Sequence, residues 1–146
     1  MIRHSVQLAL SLEAAFELFT TGISEWWPPE NRHLGDRAST LHLQETGRFF
    51  ERATDGREVE LGLVLEWDAP RFLLLDFYVA TGPAHPTRVE VRFEQVADGT
   101  VVEVTHSPTG ASEALWEGRV HRYVAAWQRV LAALEVAAGR AGDIAG

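Results

Sequence analysis

The segment from Ser112 to about Ala138 constrains the fold of this chain more than any other stretch. Trp116, Val120, Tyr123, Trp127, Leu131 and Leu134 recur at spacings of four and three, which places two tryptophans and a tyrosine on one stripe of a helix. A stripe that bulky must be buried against a large apolar surface. Ser112 is the expected N-cap, Glu113 and Glu117 lie near the positive end of the helix dipole, and Gly139 is the expected stop. Arg122, Arg129 and Glu135 mark the face expected to be wet.

The partner surface comes from the middle of the chain. Residues 2 to 10 read as a first strand, Ser11 as the cap of a helix carrying Leu12, Ala15, Phe16 and Phe19 on one face, and residues 23 to 27 as a second short helix closed by Pro28-Pro29. An aperiodic loop follows to residue 40. From Thr40 to Ser107 short strands alternate with turns, two of them marked by Asp55-Gly56 and Asp98-Gly99. Such a succession predicts an antiparallel meander. Parity assigns its faces: Val89, Val91 and Phe93 oppose Arg88, Glu90, Arg92 and Glu94, while Val102, Val104 and His106 oppose Glu103 and Thr105. Leu73, Leu75, Phe77 and Val79 form a third apolar row, and Val59, Leu61, Leu63, Leu65 and Trp67 are expected to form a fourth, with Val64 as its exception. One dry face and one charged face require a cover, and only the C-terminal helix is long enough to provide it. The fold class is therefore α+β, with about six to seven antiparallel strands curved around a long C-terminal helix and two short helices after the first strand.

Composition narrows the chemistry. A chain of 146 residues suits one domain, here residues 1–146, with a single core. There is no cysteine, hence no disulfide and no thiolate nucleophile, and no lysine, hence no Schiff base. The net charge of -8 argues against nucleic acid and anionic membrane as partners. No apolar run suits a bilayer span and the N-terminus lacks the core of a signal peptide, so a cytoplasmic location is expected. His4, His33, His42, His85, His106 and His121 are scattered without the spacing that aims two imidazoles at one ion, so no metal and no cofactor are expected. No nucleophile elbow, phosphate-binding loop or dinucleotide fingerprint occurs.

Several stretches resemble a known family in order along nearly the whole chain. They are residues 11–16 (SLEAAF), Trp26-Trp27-Pro28, residues 47–52 (GRFFER) before Asp55-Gly56, residues 62–71 (GLVLEWDAPR), residues 99–106 (GTVVEVTH) and residues 126–131 (AWQRVL). The chain is similar to the START-like (SRPBCC) helix-grip superfamily, and within it to homologues of the activator of the heat-shock chaperone ATPase. Ala126 stands where such relatives often carry glycine. The resemblance implies a curved sheet gripping the last helix with a cavity between them, a small apolar or aromatic ligand, and two rival activities. One is an enzyme of the cyclase or dehydratase kind, the other a co-chaperone module acting on an ATPase through its surface. A shared fold does not carry a shared chemistry.

Among the residues themselves, His106 falls on the apolar side of its strand, where it is either a satisfied core imidazole or a polar anchor in a greasy cavity. Glu51 is the companion candidate. In its strand either Phe49 and Glu51 or Phe50 with Arg48 and Arg52 point inward, and sequence leaves that open. If Glu51 meets His106, the pair is a general acid/base candidate, with Tyr123 as a hydroxyl donor. The aromatic set is larger than a small core needs, so Trp26, Trp27, Phe49, Trp67, Phe77, Phe93, His106, Trp116, Val120 and Tyr123 are the expected ligand-binding residues. Trp127, Leu131 and Leu134 are expected to anchor the helix. The leading expectation is a non-enzymatic binding domain, with a filled interior that binds nothing as the bland alternative. An open sheet edge could also support a homodimer.

Overall fold

The computed structural model describes residues 1–145. Its elements are β1 (Ile2–Leu8), α1 (Leu12–Phe19), α2 (Ile23–Trp26), a 3-10 turn (Pro29–Asn31), β2 (Thr40–Leu43), β3 (Arg48–Arg52), β4 (Glu58–Asp68), β5 (Phe72–Phe77), β6 (Thr87–Val96), β7 (Gly99–Pro108), α3 (Glu113–Trp116) and α4 (Val120–Ala145). The strands form one seven-stranded antiparallel sheet in the order β1-β7-β6-β5-β4-β3-β2. The meander runs sequentially from β2 to β7, and β1 returns to pair with β7. The α+β helix-grip architecture follows, with α4 over the apolar face. Among the described residues, no helix is long and apolar enough to cross a membrane.

Local chemistry explains the well-predicted pieces. Ser11 Oγ accepts the Ala14 amide at 3.2 Å, and the face of α1 that is buried is Leu12, Ala15, Phe16 and Phe19, as its period requires. The Asp98-Gly99 hairpin works only with glycine: φ is 148° at Gly99, and a Cβ there would lie 2.0 Å from the Leu8 carbonyl oxygen. That close approach lets the tip of the β6–β7 hairpin abut the end of β1.

Strict alternation fails in β4. Leu61 is buried, but Leu63 and Leu65 are 41% and 42% exposed, against the expectation that all three face the core. Two register shifts are responsible, one opposite Phe49/Phe50 and one between Val64 and Glu66. Each inserts an extra residue, so the inward row becomes Val59, Leu61, Gly62, Val64 and Trp67. Gly62 is suited to the first shift because a Cβ there would meet the Asp76 carbonyl oxygen at 2.4 Å. Val64, the expected exception, is an inward residue, while Leu63 and Leu65 are the true exceptions.

The single helix expected from Ser112 to Ala138 is also corrected. It divides into α3 and α4 at the three-residue turn Glu117-Gly118-Arg119. Ser112 caps no helix amide; its Oγ accepts the Thr109 amide at 2.9 Å and closes the preceding turn. Gly118 makes the break inexpensive, since glycine has the weakest helix preference after proline. Gly139, the expected stop, lies inside α4. A mid-helix glycine costs about 1 kcal/mol, and the surrounding Ala137, Ala138 and Arg140 are strong helix formers that outweigh it. Tyr123, Trp127, Val130, Leu131, Leu134 and Ala138 form the buried face of α4.

Candidate functional site

The open question about β3 is resolved by burial and register. Phe49 and Glu51 face the core with Leu41 and Leu43 of β2 opposite them, whereas Phe50 lies on the outer face beneath His42 and the guanidinium of Arg48, 3.7 Å from its ring centroid. Phe50 is nevertheless only 1% exposed, because that cationic and imidazole cover replaces solvent. Glu51 is fully buried, and its two oxygens accept the amides of His33 at 2.7 Å and Leu34 at 3.2 Å. It thereby ties down the loop that leads from α2 to β2. Arg32 ties the same loop from the other side, donating to the carbonyls of Ser24, Trp27 and Ser39. Burial pulls its guanidinium below the usual value, and the Glu51 charge opposes that shift. The segment from residue 28 to 34 is therefore a strap held over the end of the sheet by one carboxylate and one guanidinium.

Beneath the strap, His106 of β7 is completely buried. Trp127 Nε1 donates to its Nδ1 at 3.0 Å, and its Nε2 lies 2.7 Å from Thr87 Oγ1, which in turn donates to the Phe77 carbonyl. An indole can only donate, so Nδ1 carries no proton and the Nε2–H form is assigned from the network. Burial lowers the imidazole pKa to about 3, with the N-terminal charge adding to the effect, so the ring is neutral at physiological pH. The rings of Tyr123, Trp116, Phe77 and Trp127 surround it at centroid distances of 4.3, 5.2, 5.4 and 6.1 Å. Tyr123 donates its hydroxyl to the Val79 carbonyl at 2.7 Å, and burial raises its pKa.

The space between sheet and helix is mostly filled. At its centre, among Phe19, Leu43, Leu75, Val91 and Trp127, a void of about 10 Å³ remains, at the lower limit for one water. A larger cavity of about 110 Å³ opens at the strap end, walled by Trp27, Phe77, Val79, Tyr123, Ala126, Trp127 and Val130 and rimmed by Glu30, Asn31 and His33. Of the residues expected to bind ligand, Trp27, Phe77 and Tyr123 line this cavity. Phe49 stands behind Trp27 with ring centroids 6.0 Å apart, and Trp116 and His106 stand behind Tyr123. Val120 is half-buried above the core and does not line the cavity.

Trp26, Trp67 and Phe93 are elsewhere. Trp67 and Phe93 pack on Phe16 at 5.3 and 5.0 Å, and Trp26 packs on Phe19 with its indole N–H on the Leu18 carbonyl. These rings close the opposite end of the sheet under α1. Glu51 and His106 share no hydrogen bond, since each is fully engaged with other partners. Sequence reasoning missed Val79, Ala126, Val130, Thr87 and the rim. Ala126 and Val130 follow Tyr123 at helical spacing, and Thr87 extends the inward row of Val89, Val91 and Phe93, so those three were within reach of the period. No periodic signal marks the rim residues, because they belong to an aperiodic loop.

The sequence profile of the family described as activator of Hsp90 ATPase homolog 1-like protein matches residues 9–139, and the chain belongs to that family. A search of the curated proteins finds no significant match. Among solved structures, the self-sacrificing resistance protein CalC from Micromonospora echinospora aligns with a TM-score of 0.70 at 22% identity, over 95% of this chain and 94% of that one. An Hsp90 activator from Plasmodium falciparum aligns with a TM-score of 0.64 at 20% identity, over 94% and 95% of the two chains. An anthrahydroquino-γ-pyrone synthase is 30% identical over 75% of this chain and 80% of its own, with a TM-score of 0.50. The first two likenesses establish the fold alone.

Proposed function

We propose that this member of the activator of Hsp90 ATPase homologue 1-like family is a binding domain for a small apolar or aromatic molecule, held between the strap and α4. The observation that supports this reading is the 110 Å³ cavity, walled almost wholly by aromatic and aliphatic side chains and rimmed by polar ones. An apolar cavity of about 150 Å³ accommodates benzene, so the space suits a single ring or a short branched chain after slight relaxation. The centre of the domain, with its void of about 10 Å³, has no room for a larger body without repacking.

The synthase likeness favours a second reading, in which a reaction occurs at this site. Against His106, Glu51 and Tyr123 as its acid/base groups stand their hydrogen bonds: both imidazole nitrogens, both carboxylate oxygens and the phenolic proton are committed to protein partners. Their proposed role is to position the walls and the strap. A co-chaperone role is the third reading; it rests on the family description and predicts stimulation of a purified chaperone ATPase by this domain.

The test is a titration with single-ring probes such as toluene or indole, followed by the indole N–H resonances of Trp27 and Trp127. Saturable shifts are expected in the wild-type domain. Ala126→Phe, which fills the cavity from α4, should abolish them while leaving the thermal midpoint within a few degrees. If the wild-type resonances do not move with any such probe, the binding reading is lost.

A further inference from the structure

Resting on the reading of the cavity as a ligand site, we propose that its occupant is a cationic arylalkylamine, bound ring first with its ammonium at the rim beside Glu30. The argument starts from which hydrogen-bonding groups the walls have left. Three aromatic donors stand around the cavity, and each is spent on a protein acceptor: Trp27 Nε1 on the Asn31 carbonyl at 3.2 Å, Trp127 Nε1 on His106 Nδ1 at 3.0 Å, and the Tyr123 hydroxyl on the Val79 carbonyl at 2.7 Å. What these groups still offer is lone pairs, on Tyr123 Oη and on the Val79 carbonyl. A ligand acceptor pushed among these rings meets no aromatic donor, and an unpaired acceptor in such a place costs affinity. The inner part of the ligand must therefore be hydrocarbon.

Charge sets the other end. Glu30 is the only carboxylate among the lining residues, no arginine lines the cavity, and among the described residues Glu30 makes no salt bridge or side-chain hydrogen bond. The two cations close to the rim are turned elsewhere: Arg32 onto backbone carbonyls of the strap and Arg129 onto Asn31 Oδ1 at 3.4 Å. Asn31 and His33 add neutral polar groups to the rim. The chain as a whole carries a net charge of -8, which favours approach of a cation and disfavours an anion. A ring with a short alkylammonium arm meets both demands, because its apolar body fills the walls and its three N–H donors reach acceptors only at the mouth. Glu30 is exposed, so the charge preference is modest, about threefold over a neutral isostere and about tenfold over an anionic one at low salt.

The experiment compares 2-phenylethylamine, 2-phenylethanol and 3-phenylpropionate, which are similar in shape, by the same indole N–H titration in the wild type and in Glu30→Gln. The amine is expected to bind tightest, and Glu30→Gln is expected to bring it level with the alcohol without weakening the alcohol itself. Carboxylate binding equal to or tighter than amine binding overturns the charge assignment and leaves the cavity reading standing, as does an amine preference that survives Glu30→Gln. If none of the three perturbs the Trp27 and Trp127 resonances, the cavity reading itself falls, and this inference with it.

Discussion

The two ends of the sheet use the same kind of side chain for different ends. Under α1, Phe16, Phe19, Trp67 and Phe93 meet edge to face at 5.0 to 5.7 Å, with no polar group in the cluster needing a distant partner. Under the strap, Trp27, Tyr123 and Trp127 carry donors, and each is bonded to a specific acceptor: a loop carbonyl, a strand-end carbonyl and a buried imidazole. The first end is shaped by packing alone and closes completely. The second is shaped by hydrogen bonds, whose fixed directions hold the rings where packing alone would let them collapse, and there the 110 Å³ cavity persists. Directional bonds can support a hollow; dispersion and the hydrophobic effect tend to fill one.

This contrast can be broken by mutation. The largest effect is expected at the closed end, where Phe93→Ala removes a buried ring shared by Phe16 and Phe19 and should cost about 4 kcal/mol in chemical denaturation. Probe binding at the strap end should survive at temperatures where the variant is folded. Loss of binding in folded Phe93→Ala would show that the two ends are coupled.

Next in size is a pH effect confined to the strap end. His106 is neutral in the fold, with a pKa lowered to about 3, whereas the unfolded imidazole takes up a proton near its ordinary value of about 6.5. Below that value the unfolded chain binds the extra proton, so the contribution of His106 is fully present above about pH 6.5 and is lost as the pH falls toward 3. The slope is about 1.4 kcal/mol per pH unit within that window. His106→Gln, compared with wild type from pH 7 to 4, should show a stability difference that shrinks by about 3 kcal/mol. A constant difference would mean the imidazole is not held neutral.

Smaller effects sharpen the picture. Tyr123→Phe deletes only the hydroxyl that holds Val79 and should cost about 1 kcal/mol, with altered probe affinity as the more telling readout. On the outer face, Leu63→Ser and Leu65→Ser should change stability by less than about 0.5 kcal/mol, since both side chains face solvent. A cost of 2 kcal/mol or more at either position would restore the simple alternation of β4 that the two register shifts contradict.

Much of this molecule was legible residue by residue. The 3.6 period of residues 120 to 134, the 2.0 period of Thr87–Val96 and Gly99–Pro108, the Ser11 cap and the Asp98-Gly99 turn are local signals, and local energetics suffice to read them. The same signals placed His106 and Tyr123 on inward faces, and the structure shows both buried. Parity could not anticipate the shifts in β4, because a bulge depends on what the neighbouring strands require. Nor could it choose the face of β3, where Phe50 is as buried under arginines as Phe49 is in the core.

What the sequence determined by itself was the list of elements, their order and the dry face of most strands, because periodicity and turn chemistry act over a few residues. Only the tertiary structure decided that Glu51 anchors a strap rather than meeting His106, that Trp67 and Phe93 close one end while Trp27, Tyr123 and Trp127 wall the other, and that Ala126 faces a cavity. Those outcomes depend on groups up to 98 residues apart in the chain, such as Asn31 and Arg129, being brought within reach of one another. Hydrogen-bond partners and residual space are properties of that three-dimensional closure, and no window along the chain contains them.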